Sequence, residues 1–317
     1  MKCFVTGAAG FIGSTLVDRL LKEGHAVVGV DNFTTGFDEF LNEAKQKKQF
    51  IFFQGDLLDQ DFLNNTVHDC DVVFHFAANA DVRFGADHPE KDLQQNTVAT
   101  SHVLEAMRKN NIKKIVFSST GSIYGNAKII PTPENAPFPI QTSFYGASKL
   151  AAESLIQAYC ESFDFQAWIF RFVSILGERY THGHVFDFYK QLIEHPNSLH
   201  VLGNGKQKKS YLYVQDCIDA ILYAIKNTNE KVTIFNLGAD EYCEVNESIY
   251  WICNHLKLSP TLHYSGGNQG WVGDNPFIFL DCTKIRSLGW KPQLSIQNGI
   301  IRTLEFLKKN QWVINER

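Results

Sequence analysis

The chain has 317 residues, of which 44% are hydrophobic and 20% are charged, and its formal net charge at pH 7 is −4. This composition is that of a globular protein with a sizeable core, and it excludes an intrinsically disordered chain. Because the net charge is slightly negative, it does not favour binding to nucleic acid or to an anionic membrane, and we expect neither as a partner.

The length of the apolar runs and the spacing of the cysteines predict the cellular compartment of the protein. No apolar run approaches the length of a membrane-spanning helix, and Met1 and Lys2 lead directly into a predicted strand, so we expect no signal peptide. The seven cysteines are scattered and form no Cys-x-x-Cys pair, which is typical of reduced, mostly buried thiols. Reduced thiols indicate a cytoplasmic protein. His182 and His184 lack a third ligand, so we expect loop or substrate contacts there and no metal site.

The chain begins with a predicted strand, a glycine turn and a helix. Residues 3–5 are apolar, Gly7, Gly10 and Gly13 follow at G-x-x-G-x-x-G spacing, and apolar residues recur at helical intervals over 11–21. Glycines in this context let the backbone approach a pyrophosphate closely, and the helix N-terminus presents free N–H groups to it. The stretch predicts a dinucleotide site, whereas a tight turn without a ligand is the alternative interpretation.

A second strand, residues 26–30, ends in Asp31. A carboxylate about twenty residues past the glycines suits the hydroxyl groups of an adenosine ribose, and it would repel a 2′-phosphate. Residues 32–36 contain no arginine. NAD is therefore favoured over NADP, and the alternative is a solvated aspartate at a strand end.

A polar helical segment at 37–48 precedes a third predicted strand at 50–54. Two more strands are predicted at 71–76 and 112–119, with a long helix at 93–110 between them. Alternating strands and helices imply a parallel sheet with helices on both faces, and ligands bind at the carboxyl edge of such a sheet. Three positions near that edge follow from this order. Asp56 suits either the adenine amino group or a helix N-cap, Ala77 lets the backbone lie against a cofactor, and His75 is predicted to be a hydrogen-bonded core histidine.

A helix predicted over 144–163 begins with Tyr145 and Lys149 on one face, one turn apart. A tyrosine with a pKa near 10 is a poor base at neutral pH, but a neighbouring ammonium group favours the phenolate. The alternative is a solvated pair, since the Tyr-x-x-x-Lys pattern alone has little specificity.

Nine stretches in this order resemble the extended short-chain dehydrogenase/reductases that act on nucleotide sugars, a family of NAD-dependent epimerases and dehydratases. The stretches are TGAAGFIGS (6–14), DNFTTG (31–36), GDL (55–57), FHFAA (74–78), SSTGSIYG (118–125), YGASK (145–149), RFVSILG (171–177), LGNGKQKKSYLYVQD (202–216) and DCTKIRSLGWKP (281–292). The UDP-galactose 4-epimerases are the branch that the chain resembles most.

The resemblance implies a Rossmann-like α/β fold, a doubly wound parallel sheet with a smaller α/β substrate-binding lobe. It implies that Tyr145 is the catalytic base, Lys149 its partner and Thr120 a hydrogen-bonding group for the C4 oxygen of the sugar. It implies a cofactor site for NAD at Gly7, Gly10, Phe11, Ile12, Asp31, Asn32, Asp56, Leu57, Ala77, Asn96, Tyr145 and Lys149. Substrate positions are expected at Ser122, Ser174, Arg179, Lys209, Tyr211 and Trp271.

The resemblance predicts a UDP-hexose 4-epimerase that works through a 4-keto sugar. A nucleotide-sugar 4-dehydrogenase acting on a GDP-, CDP- or UDP-linked hexose or heptose is the alternative, and a non-catalytic NAD-binding module is a remote one. Sugar 4,6-dehydratases carry an acid pair after the threonine, because elimination needs a positioned acid and base. Gly121 and Ser122 supply neither, so dehydration is disfavoured.

Three positions depart from the epimerase pattern. Ser174 replaces an asparagine, Lys209 replaces an arginine that binds the diphosphate, and Trp271 occupies a second arginine position. A lysine lacks the bidentate fork of an arginine. We hypothesise that Arg179, or one of the lysines at 206 and 208, supplies the missing charge.

The resemblance also predicts interleaved domains and a homodimer. The NAD-binding domain is expected at 1–176 and about 211–240, and the nucleotide-sugar lobe at 177–210 and about 241–317. The helices at 93–110 and 144–163 correspond to those that form a four-helix dimer interface in relatives.

Overall fold

The computed structural model describes residues 1–79, 82–138, 140–270, 275 and 277–317, with the backbone alone at 82–84. The strands are β1 (Lys2–Thr6), β2 (Ala26–Asp31), β3 (Phe50–Gln54), β4 (Val72–His75), β5 (Lys114–Thr120), β6 (Gln166–Phe172), β7 (Ser174–Leu176), β8 (Ser198–Val201), β9 (Lys208–Lys209), β10 (Tyr211–Tyr213), β11 (Val232–Leu237), β12 (Cys243–Glu244), β13 (Thr261–Tyr264) and β14 (Phe277–Ile278).

The helices are α1 (Phe11–Lys22), α2 (Gln60–Thr66), α3 (Val82–Asp87), α4 (Pro89–Asp92), α5 (Ala99–Lys109), α6 (Phe144–Phe163), α7 (His184–Glu194), α8 (Val214–Asn227), α9 (Val245–Leu256), α10 (Thr283–Ser287), α11 (Ile296–Lys309) and α12 (Trp312–Asn315). Short 3₁₀ helices lie at Asp38–Leu41, Ala44–Gln46 and Gly121–Tyr124, and a π-helical segment lies at Leu93–Val98. None of the described helices is long and apolar enough to cross a membrane.

The centre of the molecule is a seven-stranded sheet in the order β3-β2-β1-β4-β5-β6-β11, with every neighbouring pair parallel. Its central strands are near-continuous apolar runs, as expected for a sheet buried on both faces. The order of strands reverses between β1 and β4, and this switch point opens a crevice at the carboxyl edge. The predicted doubly wound parallel sheet is confirmed.

Two hydrophobic clusters cover the two faces of this sheet. Helices α1 and α8 contribute Leu16, Leu20, Ile218 and Ile221 to one cluster. Helices α2, α5 and α6 contribute Leu63, Leu104, Met107 and Ile156 to the other. All seven cysteines are free, and six of them are buried, as predicted.

A third cluster lies outside the large sheet and is built from later parts of the chain. It includes Tyr189, Leu199, Ile252, Ile300 and Leu304. Two small sheets accompany it, the parallel pair β8–β13 and the three-stranded sheet β12-β9-β14.

Three predicted elements differ in the structure. The segment 37–48 forms two short 3₁₀ helices instead of one helix, because Phe37 and Phe40 turn inward to pack on each other. The helix predicted over 93–110 begins with the π-helical segment Leu93–Val98. Within the segment 211–240, which is expected in the NAD-binding domain, Tyr211–Tyr213 pair with β7 in a separate two-stranded sheet, whereas α8 packs on the large sheet and β11 pairs with β6 in it.

Candidate active site

The glycine turn packs tightly against two neighbouring elements. Gly7 has a φ of +69°, and a Cβ on it would lie 2.8 Å from the backbone nitrogen of Ala77. A Cβ on Gly13 would lie 1.9 Å from the carbonyl oxygen of Gly7. Gly10 precedes α1 and offers no side chain to cap it, so the backbone N–H groups of the first turn, at Phe11 and Ile12, face the turn. This arrangement fits a pyrophosphate at the helix N-terminus.

Asp31 lies beside this turn at the end of β2. Its Oδ2 accepts a hydrogen bond from the backbone N–H of Ala9 at 2.9 Å, and its Oδ1 accepts from that of Phe33 at 2.8 Å. Burial raises the pKa of the carboxyl group, and these backbone hydrogen bonds oppose the rise. A carboxylate has about four acceptor positions, so the residue fits the hydroxyl groups of an adenosine ribose.

Asn32 and Asp56 meet at the same edge of the sheet. The side-chain amide of Asn32 donates to Oδ2 of Asp56 at 3.0 Å, and the backbone N–H of Leu58 donates to Oδ1 at 2.9 Å. Asp59, rather than Asp56, caps α2 by accepting from Phe62 N–H at 3.0 Å. The N-cap interpretation of Asp56 is therefore wrong, and its carboxylate stays next to the nucleotide edge beside buried Leu57.

His75 is a fully buried core histidine, as predicted. The Thr100 hydroxyl donates to a backbone carbonyl at 2.6 Å, so it accepts from Nε2 of His75 at 2.9 Å. Nδ1 then accepts from the Thr6 hydroxyl at 2.8 Å, and the Thr6 oxygen accepts from the backbone N–H of Ala77 at 3.2 Å. Burial and nearby Lys149 lower the pKa of His75 to about 3. The neutral imidazole thus fixes the end of β4 against Gly7.

Tyr145 and Lys149 project from the first two turns of α6. Ser143 caps this helix by accepting from Gly146 N–H at 3.0 Å. Lys149 is only 1% exposed, and its Nζ donates to the carbonyl oxygen of Ser118 at 2.7 Å. This contact holds the amine at the end of β5, two residues before Thr120.

The electrostatics of this pair differ from the expectation that Lys149 lowers the pKa of Tyr145. Burial raises the pKa of Tyr145 to about 12, a hydrogen bond with Thr120 opposes the rise, and Asp92 adds to it. Burial lowers the pKa of Lys149 to about 7, although Glu153 and Asp92 act against that fall. The amine is directed at Ser118 rather than at the phenol, which explains the difference.

Thr120 is followed by a short 3₁₀ helix without an acid. Its Oγ1 accepts from the backbone N–H of Ser122 at 3.1 Å and donates to Oγ of Ser122 at 3.2 Å. Gly121 packs under Ile278, where an added Cβ would lie 3.2 Å from a methyl carbon. The stretch therefore supplies hydroxyl groups alone next to Tyr145.

Asn96 joins the π-helical segment to α6. It is 1% exposed, its Nδ2 donates to Oγ of Ser148 at 2.9 Å, and its Oδ1 accepts from the backbone N–H of Asn79 at 2.9 Å. Ser148 in turn donates to the carbonyl oxygen of Tyr145 at 2.9 Å. Asn96 therefore supports the helix that carries Tyr145, a connection that the sequence did not reveal.

Sequence reasoning also missed a buried ion pair behind Lys149. Both carboxylate oxygens of Glu153 accept from Arg171, Oε2 from Nη2 at 2.8 Å and Oε1 from Nε at 3.1 Å. The hydroxyl of Ser119 also donates to Oε1. Glu153 follows Tyr145 and Lys149 at helical spacing of four, and that spacing was the available signal.

The predicted substrate positions Lys209 and Tyr211 lie close together with His184. The Tyr211 hydroxyl is 2.9 Å from Nδ1 of His184, whose Nε2 is 2.6 Å from Oγ of Ser248. Burial and nearby Lys209 lower the pKa of His184 to about 3. Exposed Ser174 pairs with Tyr211 between β7 and β10.

Lys209 is tied to the Tyr145 region through one residue. Its Nζ donates to the carbonyl oxygen of Asn275 at 2.5 Å, and the Thr142 hydroxyl donates to Oδ1 of Asn275 at 3.3 Å. Thr142 immediately precedes the cap of α6. This connection brings β9 next to the helix that carries Tyr145.

Two residues considered for the missing positive charge lie elsewhere. The Arg179 guanidinium pairs with Asp18 on the outer side of α1, at 2.6 Å. Lys208 lies on the opposite face of β9 from Lys209, as neighbours in a strand must, over the ring of Tyr242 at 5.2 Å. Trp271 lies outside the described residues.

Comparisons with known proteins identify the family of the chain. Residues 3–238 match the model of the NAD dependent epimerase/dehydratase family. The chain is 33% identical to a UDP-glucose 4-epimerase of Mycolicibacterium smegmatis, over 97% of this chain and 99% of that protein.

Solved structures of 4-epimerases are also similar to this chain. A crystal structure of a UDP-galactose 4-epimerase is 35% identical with a TM-score of 0.88, covering 98% of this chain and 100% of that one. A UDP-glucuronic acid 4-epimerase from Bacillus cereus, in complex with UDP-glucuronic acid and NAD, is 29% identical with a TM-score of 0.89, covering 98% and 99%. With a family model matched over most of its length and a nucleotide turn that fits the cofactor, the chain belongs to the NAD-dependent epimerase/dehydratase family.

Proposed function

We propose that this enzyme interconverts UDP-hexoses that differ in configuration at C4. The observation that carries the proposal is the constellation at the carboxyl edge, where Tyr145, Lys149 and Thr120 adjoin the dinucleotide turn. The relatives named above that act on UDP-sugars support the nucleotide and the position of the reaction.

The cofactor site is proposed to use the residues predicted for it. The turn from Gly7 to Ile12 takes the pyrophosphate, Asp31 the adenosine ribose, and Lys149 the nicotinamide ribose. Bound NAD supplies an acceptor and donor of hydride for the sugar carbon. Asn96 contributes by supporting the start of α6, since its amide is engaged with Ser148.

The chain's own part in the reaction is proton transfer and positioning. Tyr145 takes the proton of the C4 hydroxyl as the C4–H bond breaks, and Thr120 donates a hydrogen bond to the same oxygen. The hydrogen bond with Thr120 favours the phenolate that this requires, and Lys149 holds the helix of Tyr145 against the end of β5 through the carbonyl oxygen of Ser118. The 4-keto sugar then rotates in the site so that its other face is presented to the cofactor. Tyr145 returns the proton to the oxygen while hydrogen returns to the other face of C4, so no net oxidation of the sugar occurs.

The diphosphate is proposed to bind at Lys209. Its ammonium is near enough to His184 to lower the pKa of that imidazole, and it donates to Asn275, which is linked to Thr142 at the start of α6. The guanidinium of Arg179 instead pairs with Asp18 of α1. A single ammonium is a point charge without a fork, so recognition of the diphosphate depends on neighbouring hydroxyl groups as well. Ser174 lies next to Tyr211 and is proposed to be one of them.

The domain division is proposed as predicted. The NAD-binding domain comprises 1–176 and about 211–240, and the sugar lobe comprises 177–210 and about 241–317. The separate third cluster, which includes Tyr189 and Ile300, supports this division. Helix α8 supports the assignment of 211–240 because it packs on the large sheet.

The assembly is proposed to be a homodimer through residues 93–110, which include α5, and through α6. Apolar side chains on this side support it, since Leu93 is 53% exposed and Phe163 is 40% exposed. Light scattering on the purified protein tests the proposal, and a monomer at micromolar concentration contradicts it. A cytoplasmic location is proposed from the seven free thiols.

A product assay tests the proposed function. Purified protein is incubated with UDP-glucose, UDP-N-acetylglucosamine, GDP-mannose and CDP-glucose without added oxidant, and the sugar nucleotides are separated. A reversible mixture of C4 epimers from a UDP-sugar supports the proposal, whereas a released keto sugar with reduced cofactor indicates the 4-dehydrogenase. Tyr145→Phe abolishes turnover and keeps NAD bound. Tyr159→Phe, on the same helix but hydrogen-bonded to Glu105, is the matched control that retains turnover.

A further inference from the structure

Helix α12 packs against the loop that follows Asp31. The ring of Trp312 meets the ring of Phe37 edge to face, with centroids 5.3 Å apart and planes at 89°. Trp312 also lies 5.8 Å from the ring of Phe40, which contacts Phe306 of α11 at 6.3 Å. These rings join the loop to the third hydrophobic cluster.

The opposite side of the same loop rests on the glycine turn. The backbone N–H of Phe37 donates to the carbonyl oxygen of Ala9 at 3.0 Å. A Cβ on Gly36 would lie 2.8 Å from the carbonyl carbon of Ala9, so the two backbones touch. Ala9 also donates to Asp31. Residues 32–37 are therefore held between the turn that fits the pyrophosphate and the short helix α12.

Arg317 completes the contact from the far end of the sequence. Its guanidinium lies over the ring of Phe37, 5.2 Å from the centroid, and its Nη2 donates to the carbonyl oxygen of Thr35. Asn32 is hydrogen-bonded to Asp56 and Phe33 to Asp31, whereas the exposed tip of the loop at Thr34 and Thr35 has few contacts outside the loop apart from Arg317. A loop with few contacts loses conformational freedom when a ligand orders it, and that loss weakens binding unless other contacts order the loop beforehand.

We infer that residues 312–317 are a positioning element of the cofactor site, which preorganises the loop 32–37 for the adenosine end of NAD. Trp312 and Arg317 hold the ring of Phe37 and the carbonyl of Thr35 on the outer side of the loop. The backbone N–H of Phe37 donates to Ala9, which donates to Asp31, so the position of Phe37 constrains both residues. In the part of the chain that the structure describes, the element contacts Thr35, Phe37 and Phe40, none of which is assigned to the sugar. Its loss is therefore expected to affect the adenosine half of the cofactor and leave the nucleotide-sugar site unchanged.

Calorimetric titration of nucleotide-free protein with NAD, AMP and UDP tests the inference. Trp312→Ala is expected to weaken NAD and AMP alike by about tenfold, because the loop must then be ordered on binding. Arg317→Ala is expected to weaken both by about threefold through loss of a cation–π contact and a hydrogen bond. UDP affinity is expected to stay at the parent value in both variants.

Matched controls separate positioning from general destabilisation. Trp251→Ala removes another half-buried tryptophan of the same cluster, and Arg302→Ala removes a guanidinium that lies 5.5 Å from the ring of Tyr213. Both are expected to bind NAD and AMP as the parent does.

Parent-like affinity for NAD and AMP in both Trp312→Ala and Arg317→Ala overturns the inference, as does an equal loss in Trp251→Ala. If Trp312→Ala does not fold, Arg317→Ala decides the question, since that side chain is at the surface. The titration requires no turnover, so its result is independent of the proposed epimerase activity.

Discussion

The Nζ atom of Lys149 lies 2.7 Å from the carbonyl oxygen of Ser118 and 4.5 Å from the centroid of the Phe117 ring. The contact ties the helix that carries Tyr145 to the strand that ends in Thr120. Since the amine is 1% exposed, its charged form is costly, and its pKa falls from 10.5 to about 7. The catalytic elements are thus joined by a group that titrates near neutral pH.

The unfolding free energy of the protein should depend on pH through the Lys149 amine. Because the folded pKa of Lys149 is lowered, the unfolded chain binds more protons between pH 7 and 10.5, and stability rises with pH across that window. Relative to Lys149→Met, the parent should gain about 1 kcal/mol of unfolding free energy per pH unit between about pH 7.5 and 9. Urea unfolding at several pH values measures this, and parallel pH profiles for the two proteins would exclude a lowered pKa.

Asp31 should control the choice between NAD and NADP. Asp31→Ala is expected to weaken NAD by about tenfold or more, since charge-assisted hydrogen bonds to the ribose are lost. NADP should lose much less, because the same change removes repulsion of its 2′-phosphate. The ratio of the two dissociation constants is the measurement, and an unchanged ratio would contradict the ribose assignment.

The buried pair Glu153–Arg171 should behave as one unit. Removing one partner leaves an uncompensated buried charge, so Glu153→Met alone or Arg171→Leu alone is expected to lower the unfolding free energy by about 3 kcal/mol. The double variant Glu153→Met/Arg171→Leu should be more stable than the sum of the two single changes predicts. Chemical denaturation of the four proteins measures the coupling. Additive losses would show that the pair is not coupled.

Substitutions at Lys209 and Arg179 should have different effects, since we expect the first residue to bind substrate and the second to stabilise the fold. Lys209→Ala is expected to raise KM for the UDP-sugar by about tenfold with little change in kcat, because an ionic contact to the diphosphate is lost in ground and transition states alike. Arg179→Ala should leave KM unchanged and lower Tm, because it breaks the contact with Asp18. A rise in KM for Arg179→Ala alone would reverse the assignment.

The fold was predictable because its signals are local. Apolar strands, the glycine turn at Gly7 and the capped helix at Ser143 follow one another in a fixed order, and each depends on residues close in sequence. The segment 37–48 was not predictable in this way. Its 3₁₀ helices form because Phe37 and Phe40 pack on Trp312, far along the chain.

The candidate site was predictable to the same extent. The spacing of Tyr145 and Lys149 and the position of Asp31 are local features of one helix and one strand end. The direction of the Lys149 amine was not, because it depends on the carbonyl oxygen of Ser118 in a neighbouring strand. The same holds for the contact of Arg317 with Thr35, which joins residues 282 positions apart.

In the proposed reaction, hydrogen leaves C4 of the sugar and returns to the same carbon from the bound cofactor. Incubation of the protein with UDP-glucose in D₂O, followed by NMR of the product, tests this route. We expect UDP-galactose that carries no solvent deuterium on C4, because the transferred hydrogen never exchanges with water. Deuterium on C4, or the absence of a C4 epimer, would contradict it.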